Sequence, residues 1–118
     1  MGNRSIAVKL AFEQQGAVSV VAISGSVDSL TAEALLSALH QHMGQGHIHL
    51  VADFSDVDYV SSAGLRAFLM TVKQARSAGG DFRLTRLQPS VLKVLDLSGF
   101  TTIMKLYEDV PQAVASYV

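Results

Sequence analysis

After two consecutive strand-like segments, this chain alternates between short apolar runs and segments whose apolar residues recur every three or four positions. That rhythm restricts the folds open to it. Residues 6–12 alternate apolar with small or polar side chains, as a strand with one solvated face does. Residues 13–16 read as a turn, residues 18–23 as a second strand paired to the first, and Ser24-Gly25-Ser26 as its break. A helix follows, capped by Asp28 or Ser29, with Ala32, Leu35, Leu36, Leu39 and Met43 on one face and Gly44 and Gly46 at its end. Residues 48–54 form a central strand, and residues 55–60 an acidic loop. Leu65, Phe68, Leu69 and Val72 mark a second helix, stopped by Gly79-Gly80. Residues 81–86 read as a strand. Pro89 and Ser90 open a third helix carrying Val91, Leu92, Leu95 and Leu97, with Gly99 closing it. The last strand is residues 102–107, strongest at 103–106. Asp109 or Pro111 opens a final helix with Val110, Ala113, Val114 and Tyr117 on one side. The order β-β-α-β-α-β-α-β-α predicts an α/β fold. Its mainly parallel, mixed sheet begins with a hairpin and carries packed helices, in one domain over residues 1–118.

Composition removes several functions. The chain has 118 residues, 49% of them hydrophobic and 16% charged, enough for a core and unlike a disordered segment. A net charge of −1 offers no basic field for nucleic acid or an anionic membrane. No cysteine is present, so no disulfide framework or thiolate metal site is expected. No apolar run approaches bilayer length, and no secretory signal is expected. Met1-Gly2 resembles a myristoylation start, but Ile6 stands where that motif needs Ser or Thr. A soluble cytoplasmic protein without direct membrane insertion is expected.

The stretch from Val51 to Arg66 carries the functional signal: a strand, acidic residues, then Ser61 and Ser62 where a helix begins. Amide groups at a helix start lack intrahelical partners and favour negative charge, so a phosphate on a serine there is electrostatically welcome. A serine at this place also serves as a plain N-cap, and spacing alone leaves both roles open. Asp53, Asp56 and Asp58 are expected to be solvated charges in preference to a magnesium site. His40 and His42 lie two apart on a helix and diverge. His47 and His49 share a strand face but are only two potential ligands, so no metal site is expected. Gly44-Gln45-Gly46 and Gly79-Gly80 match no phosphate-binding loop, and no Ser/His/Asp triad can be assembled. No catalytic residue, cofactor or enzymatic activity is expected. Arg66, Met70 and Lys73 mark the exposed face of the second helix.

Three blocks of the chain resemble the STAS domain of bacterial anti-sigma factor antagonists. They are Ile23-Ser24-Gly25-Ser26-Val27-Asp28-Ser29-Leu30-Thr31-Ala32, the stretch from Asp53 to Leu65, and the segment from Pro89 to Phe100. In that family the central loop commonly reads Asp-Ser-Ser/Thr-Gly-Leu, with the serine after the aspartate phosphorylated. Aligning on Gly64-Leu65 places Ser61 at the aspartate, Ser62 at the phosphoacceptor and Ala63 at the second hydroxyl position. The resemblance implies a partner-switching regulator. Its unphosphorylated form would bind an anti-sigma factor of the histidine-kinase-like ATPase type, a serine kinase, and release that protein's target. Phosphorylation of Ser62 would abolish binding, and a serine phosphatase would restore it. Asp28, Ser61, Ala63, Gly64 and Arg66 would form the phosphorylation loop and partner-binding surface. The alternative implied is a non-switching STAS subunit of a stress-sensing assembly or a lipid-transport complex.

Overall fold

Gly16 has φ +63°, a left-handed conformation that side chains resist, and with Ala17 it makes a two-residue turn. The turn joins β1 (Lys9–Gln15) to β2 (Val18–Val27), paired antiparallel from Lys9↔Ser24 to Gln15↔Val18. The structure is a computed structural model describing residues 8–117. The first two residues of the predicted opening strand and the Met1-Gly2 motif lie outside the described residues. The turn falls at 16–17 and not at 13–16, because an exposed edge strand accommodates the polar run Glu13-Gln14-Gln15.

The remaining elements are α1 (Ala32–Gly44), β3 (His49–Val60), α2 (Ser62–Ser77), β4 (Asp81–Thr85), α3 (Pro89–Leu97), a 3-10 turn (Phe100–Thr102), β5 (Leu106–Tyr107) and α4 (Val110–Ala115). The sheet order is β1-β2-β3-β4-β5, parallel from β2 to β5. Side chains alternate across it with the two-residue period of a strand. Val21, Ile23, Leu50, Ala52 and Phe54 join the larger core with α1, α2 and α3. Val18, Val20 and Val51 meet Ala113 of α4 in a smaller one. Phe68 of α2 sits edge-on to Phe54 at 5.1 Å between ring centroids and stacks toward Phe82 at 6.3 Å, fastening that helix to β3 and β4.

Three predicted boundaries are corrected. Ser24-Gly25-Ser26 does not end β2, and residues 55–60 are not a loop. The two segments pair with each other, from Ser24↔Asp56 to Val27↔Val60, through register irregularities at Ala22/Ser24 and Gly25/Ser26. Acidic residues are poor strand formers, yet Asp56 and Asp58 face solvent while Val57 and Val60 are buried. Since β4 pairs only as far as Asp53↔Thr85, β3 projects beyond it. Third, the segment 102–107 is mostly not strand. Met104 drops into the core from the 3-10 turn, and only Leu106 and Tyr107 pair. Leu97 is off the buried face of α3, at 78% exposure. The predicted stop at Gly79-Gly80 has a second cause: a side chain at Gly80 would begin 1.9 Å from the Ile48 carbonyl oxygen.

The N-terminal ends of β3 and β4 are locked. Buried Asp81 accepts from Arg76 Nε at 2.9 Å, Arg83 Nε at 3.0 Å and the Phe82 amide at 2.9 Å. The Arg83 guanidinium lies over the Tyr117 ring, 4.0 Å from its centroid, and donates to the Ser116 carbonyl. The Tyr117 hydroxyl lies 2.7 Å from the Leu50 carbonyl oxygen and 2.8 Å from that of Asp81. Among the described residues no helix is long and apolar enough to cross a membrane.

Candidate functional site

Val27 and Val60 are paired at the ends of their strands, so β2 and β3 leave the sheet side by side. The Ser61 amide donates back to the Val27 carbonyl at 2.9 Å. On the β2 side, Asp28 organises the entry to α1. Its Oδ1 accepts from the Leu30 and Thr31 amides at 2.9 and 3.2 Å, and its carbonyl accepts from Ala32 at 2.8 Å. The Thr31 hydroxyl donates to the Ser26 carbonyl at 2.7 Å. The N-cap of α1 is therefore Thr31, without a side-chain cap bond, and neither Asp28 nor Ser29 caps the helix: Asp28 holds the turn before it and Ser29 is exposed.

On the β3 side the structure divides the work of the two serines. Ser61 is the N-cap of α2, with extended backbone (φ −91°, ψ 178°). Its Oγ accepts the Gly64 amide at 3.4 Å, a long bond, and its carbonyl accepts Leu65 at 2.9 Å. Ser62 is the first helical residue and is exposed. Its hydroxyl takes part in no hydrogen bond among the described residues.

Gly64 explains how α2 can start so close to the sheet. A Cβ there would lie 2.7 Å from the Val27 carbonyl oxygen and 2.9 and 3.0 Å from methyls of Val27 and Val60. The first turn of α2 therefore rests directly on the strand ends. Ala63 is half-buried against the core, and Arg66 is exposed with no carboxylate within 4 Å among the described residues. Between α1 and α2 runs a groove of about 200 Å³ lined by Ala32, Leu36, Ala63, Arg66 and Met70, with Glu33 at its side. Met70, at 47% exposure, lines this groove, and Leu30 and Tyr59 are exposed at 71 and 53%. Sequence periodicity missed Leu30 and Tyr59, because exposure depends on what the fold fails to cover. The glycine-serine spacing offered the only signal for the close approach at Gly64.

The other charged candidates are dispersed. Asp58 accepts from the Ser26 hydroxyl at 2.9 Å. Asp53 accepts from the Ser55 amide at 3.0 Å and lies 3.9 Å from Arg86, and Asp56 is exposed. His47 and His49 do not share a strand face. His47 precedes β3 and stacks on His42 at 4.2 Å, whereas His49 packs edge-on to Tyr117. His42 also stacks on Phe12 at 3.9 Å and lies 2.6 Å from the Ser19 hydroxyl. Burial, and then the neighbouring charge of His47, lower its pKa. Among the described residues no group of three His, Cys, Asp or Glu side chains could hold a metal ion.

Fold and site together define a small α/β module that displays a serine on a helix start beside a groove between two helices. The STAS domain family model matches residues 9–113, and the chain belongs to that family. It is 33% identical over 110 residues to BtrV of Bordetella bronchiseptica, described as a candidate anti-sigma factor antagonist, covering 93% of this chain and 95% of that one. A crystal structure of an anti-sigma factor antagonist from Mycobacterium paratuberculosis superposes with a TM-score of 0.83 at 28% identity, over 92% of each chain. The antagonist SpoIIAA shares the fold, with a TM-score of 0.77 at 17% identity over 92% of this chain and 95% of that one in its unphosphorylated form. Its phosphorylated form gives 0.70 at 18%, over 93% of this chain and all of that one.

Proposed function

We propose that this protein is an anti-sigma factor antagonist that works by partner switching, controlled by phosphorylation of Ser62. The observation that carries the reading is the division of labour at the start of α2: Ser61 supplies the cap, so Ser62 is exposed and unengaged. In the unphosphorylated state the groove between α1 and α2, with Leu30, Tyr59, Met70 and Arg66, docks on an anti-sigma factor that is also a serine kinase of the histidine-kinase-like ATPase type. Docking displaces that factor's target. The kinase supplies ATP and its magnesium. The Ser62 oxygen forms a bond to the γ-phosphorus, the bond to the ADP oxygen breaks, and the hydroxyl proton leaves to a base of the kinase.

The phosphate adds about −1.5 to −2 charges. The orphan amides at the start of α2 accept it without unfolding the domain. It falls on the docking face itself, so the partner surface that fitted the neutral serine is repelled. A serine phosphatase returns the protein to its binding form. The aspartate usual in the family and Ser61 here are both good N-caps. The substitution keeps the helix start and removes one negative charge next to the acceptor.

The test is capture of partners on Ser62→Ala and Ser62→Asp baits, followed by incubation of the wild type with the captured ATPase and ATP. An ATPase retained by the alanine bait and lost from the aspartate bait, and phosphate mapped to Ser62, is the expected result. The same large assembly on both baits, with no phosphate at Ser62, would replace the switch by the non-switching subunit.

A further inference from the structure

The two edges of the sheet are unequal. β5 is two residues long, whereas β1 has seven, pairs without a bulge, contains no proline, and among the described residues is bonded on one side only. Natural edges of this length are ordinarily blunted by bulges, prolines or charges. β1 carries two charges, Lys9 and Glu13, and their placement is self-complementary.

The phase of the free hydrogen-bonding groups follows from the turn. Gln15 and Val18 close a two-residue hairpin and are a bonded pair. Backbone groups of Lys9, Ala11, Glu13 and Gln15 therefore point to β2, and those of Leu10, Phe12 and Gln14 point outward. We propose that β1 is the interface for a second copy of this chain, pairing antiparallel with the same strand about a two-fold axis at Ala11, so that two five-stranded sheets become one.

In that register Leu10 and Phe12 exchange backbone bonds with Phe12 and Leu10 of the second copy. Lys9 stands opposite the second copy's Glu13, twice over. Lys9 and Glu13 fall on the pairs that lack backbone bonds, where Cα atoms approach to about 4.5 Å and side chains interact most closely. The neighbouring allowed registers, centred on Leu10 or Phe12, put Lys9 opposite Ala11 or Gln15 and lose both ion pairs. The other face of the strand agrees. Phe12 is 40% exposed although its ring stacks on His42, and half-buried Leu10 packs on the core beside it. Each would cover the other across the axis. A closed two-fold contact of this kind uses one patch on both copies and consumes the edge, so it does not propagate into a fibre. One strand pair buries less than a standard interface, so the association is concentration-dependent.

The experiment is sedimentation equilibrium of the full chain over a wide concentration range at low salt. Lys9→Glu and Glu13→Lys are made separately and together, and far-UV circular dichroism verifies the fold of each. Lys9→Glu puts carboxylates against carboxylates and Glu13→Lys puts ammonium groups against each other. Each single variant should self-associate about tenfold more weakly. An equimolar mixture of the two, and the double variant alone, should recover the dimer. Amide exchange should slow with concentration at Leu10, Phe12 and Gln14. Ser62→Asp should leave the association unchanged, which separates this interface from the serine site. A monomer at every concentration overturns the proposal. So does a dimer indifferent to both charge variants, or a mixture that fails to recover it.

Discussion

The two ends of the parallel sheet are built on opposite principles. At the N-terminal ends of β3 and β4, Asp81, Arg76, Arg83, Ser116 and Tyr117 satisfy one another through short bonds. At the C-terminal ends of β2 and β3, one long side-chain bond caps α2 at Ser61, the Ser62 hydroxyl has no partner among the described residues, and Leu30 and Tyr59 are exposed. Ligand sites in open parallel sheets gather at the C-terminal ends of strands. In this molecule the charged network lies at the far end, while the near end is held by uncharged turn and capping bonds around Asp28 and Ser61 and displays Ser62.

The largest effect should come from breaking the locked end. Asp81→Ala removes the acceptor shared by Arg76, Arg83 and the Phe82 amide, and although Arg83 keeps Ser116, losing one partner of a buried pair should cost about 3 kcal/mol. Urea denaturation should show that loss, with partner capture at the other end unchanged at temperatures where the variant is folded. Acid acts on the same group. Burial would raise the Asp81 pKa, but the bonds from Arg83, the Phe82 amide and Arg76 together hold it below its ordinary value. Its contribution is therefore complete above the ordinary aspartate range. It is lost as pH falls through that range toward the lowered value, and the Asp81→Ala variant should lack this part of the pH profile.

Gly64→Ala should be next, at about 1–3 kcal/mol, because its methyl would press on Val27 and lift the first turn of α2. Unlike the change at Asp81, it should also slow phosphate transfer to Ser62, measurable in a kinase assay at matched folded fraction. Ser61→Ala should cost about 0.5–1 kcal/mol, the low end for a cap given its long bond, while Ser61→Asp should retain that stability. Ser62→Ala should change stability by less than about 0.5 kcal/mol. A cost at Ser62 as large as at Ser61 would mean that the two ends are less different than the bonding pattern says.

Much of this contrast was legible in the chain before folding, though unevenly. The helices were readable because Leu35, Leu39, Phe68 and Val72 recur at helical spacing and are all buried. The central strand was readable as far as Phe54. Beyond it the aspartates hid six residues of strand, since propensity is local while the pairing of Val57 and Val60 with β2 is not. The locked end left no pattern at all: Arg76, Asp81, Arg83 and Tyr117 are scattered over two elements and the C-terminal turn, and only the fold brings them together.

By itself, the sequence determined the α/β order, the absence of a basic field or thiolate chemistry, and the two serines at the start of α2. Each of these follows from residue type and short-range spacing. Only the tertiary structure decided which serine caps and which is exposed, why Gly64 must be glycine, and which apolar side chains remain uncovered. Those answers depend on how closely α2 approaches Val27 and Val60. That distance is set by packing between strands about thirty residues apart, which no local pattern encodes.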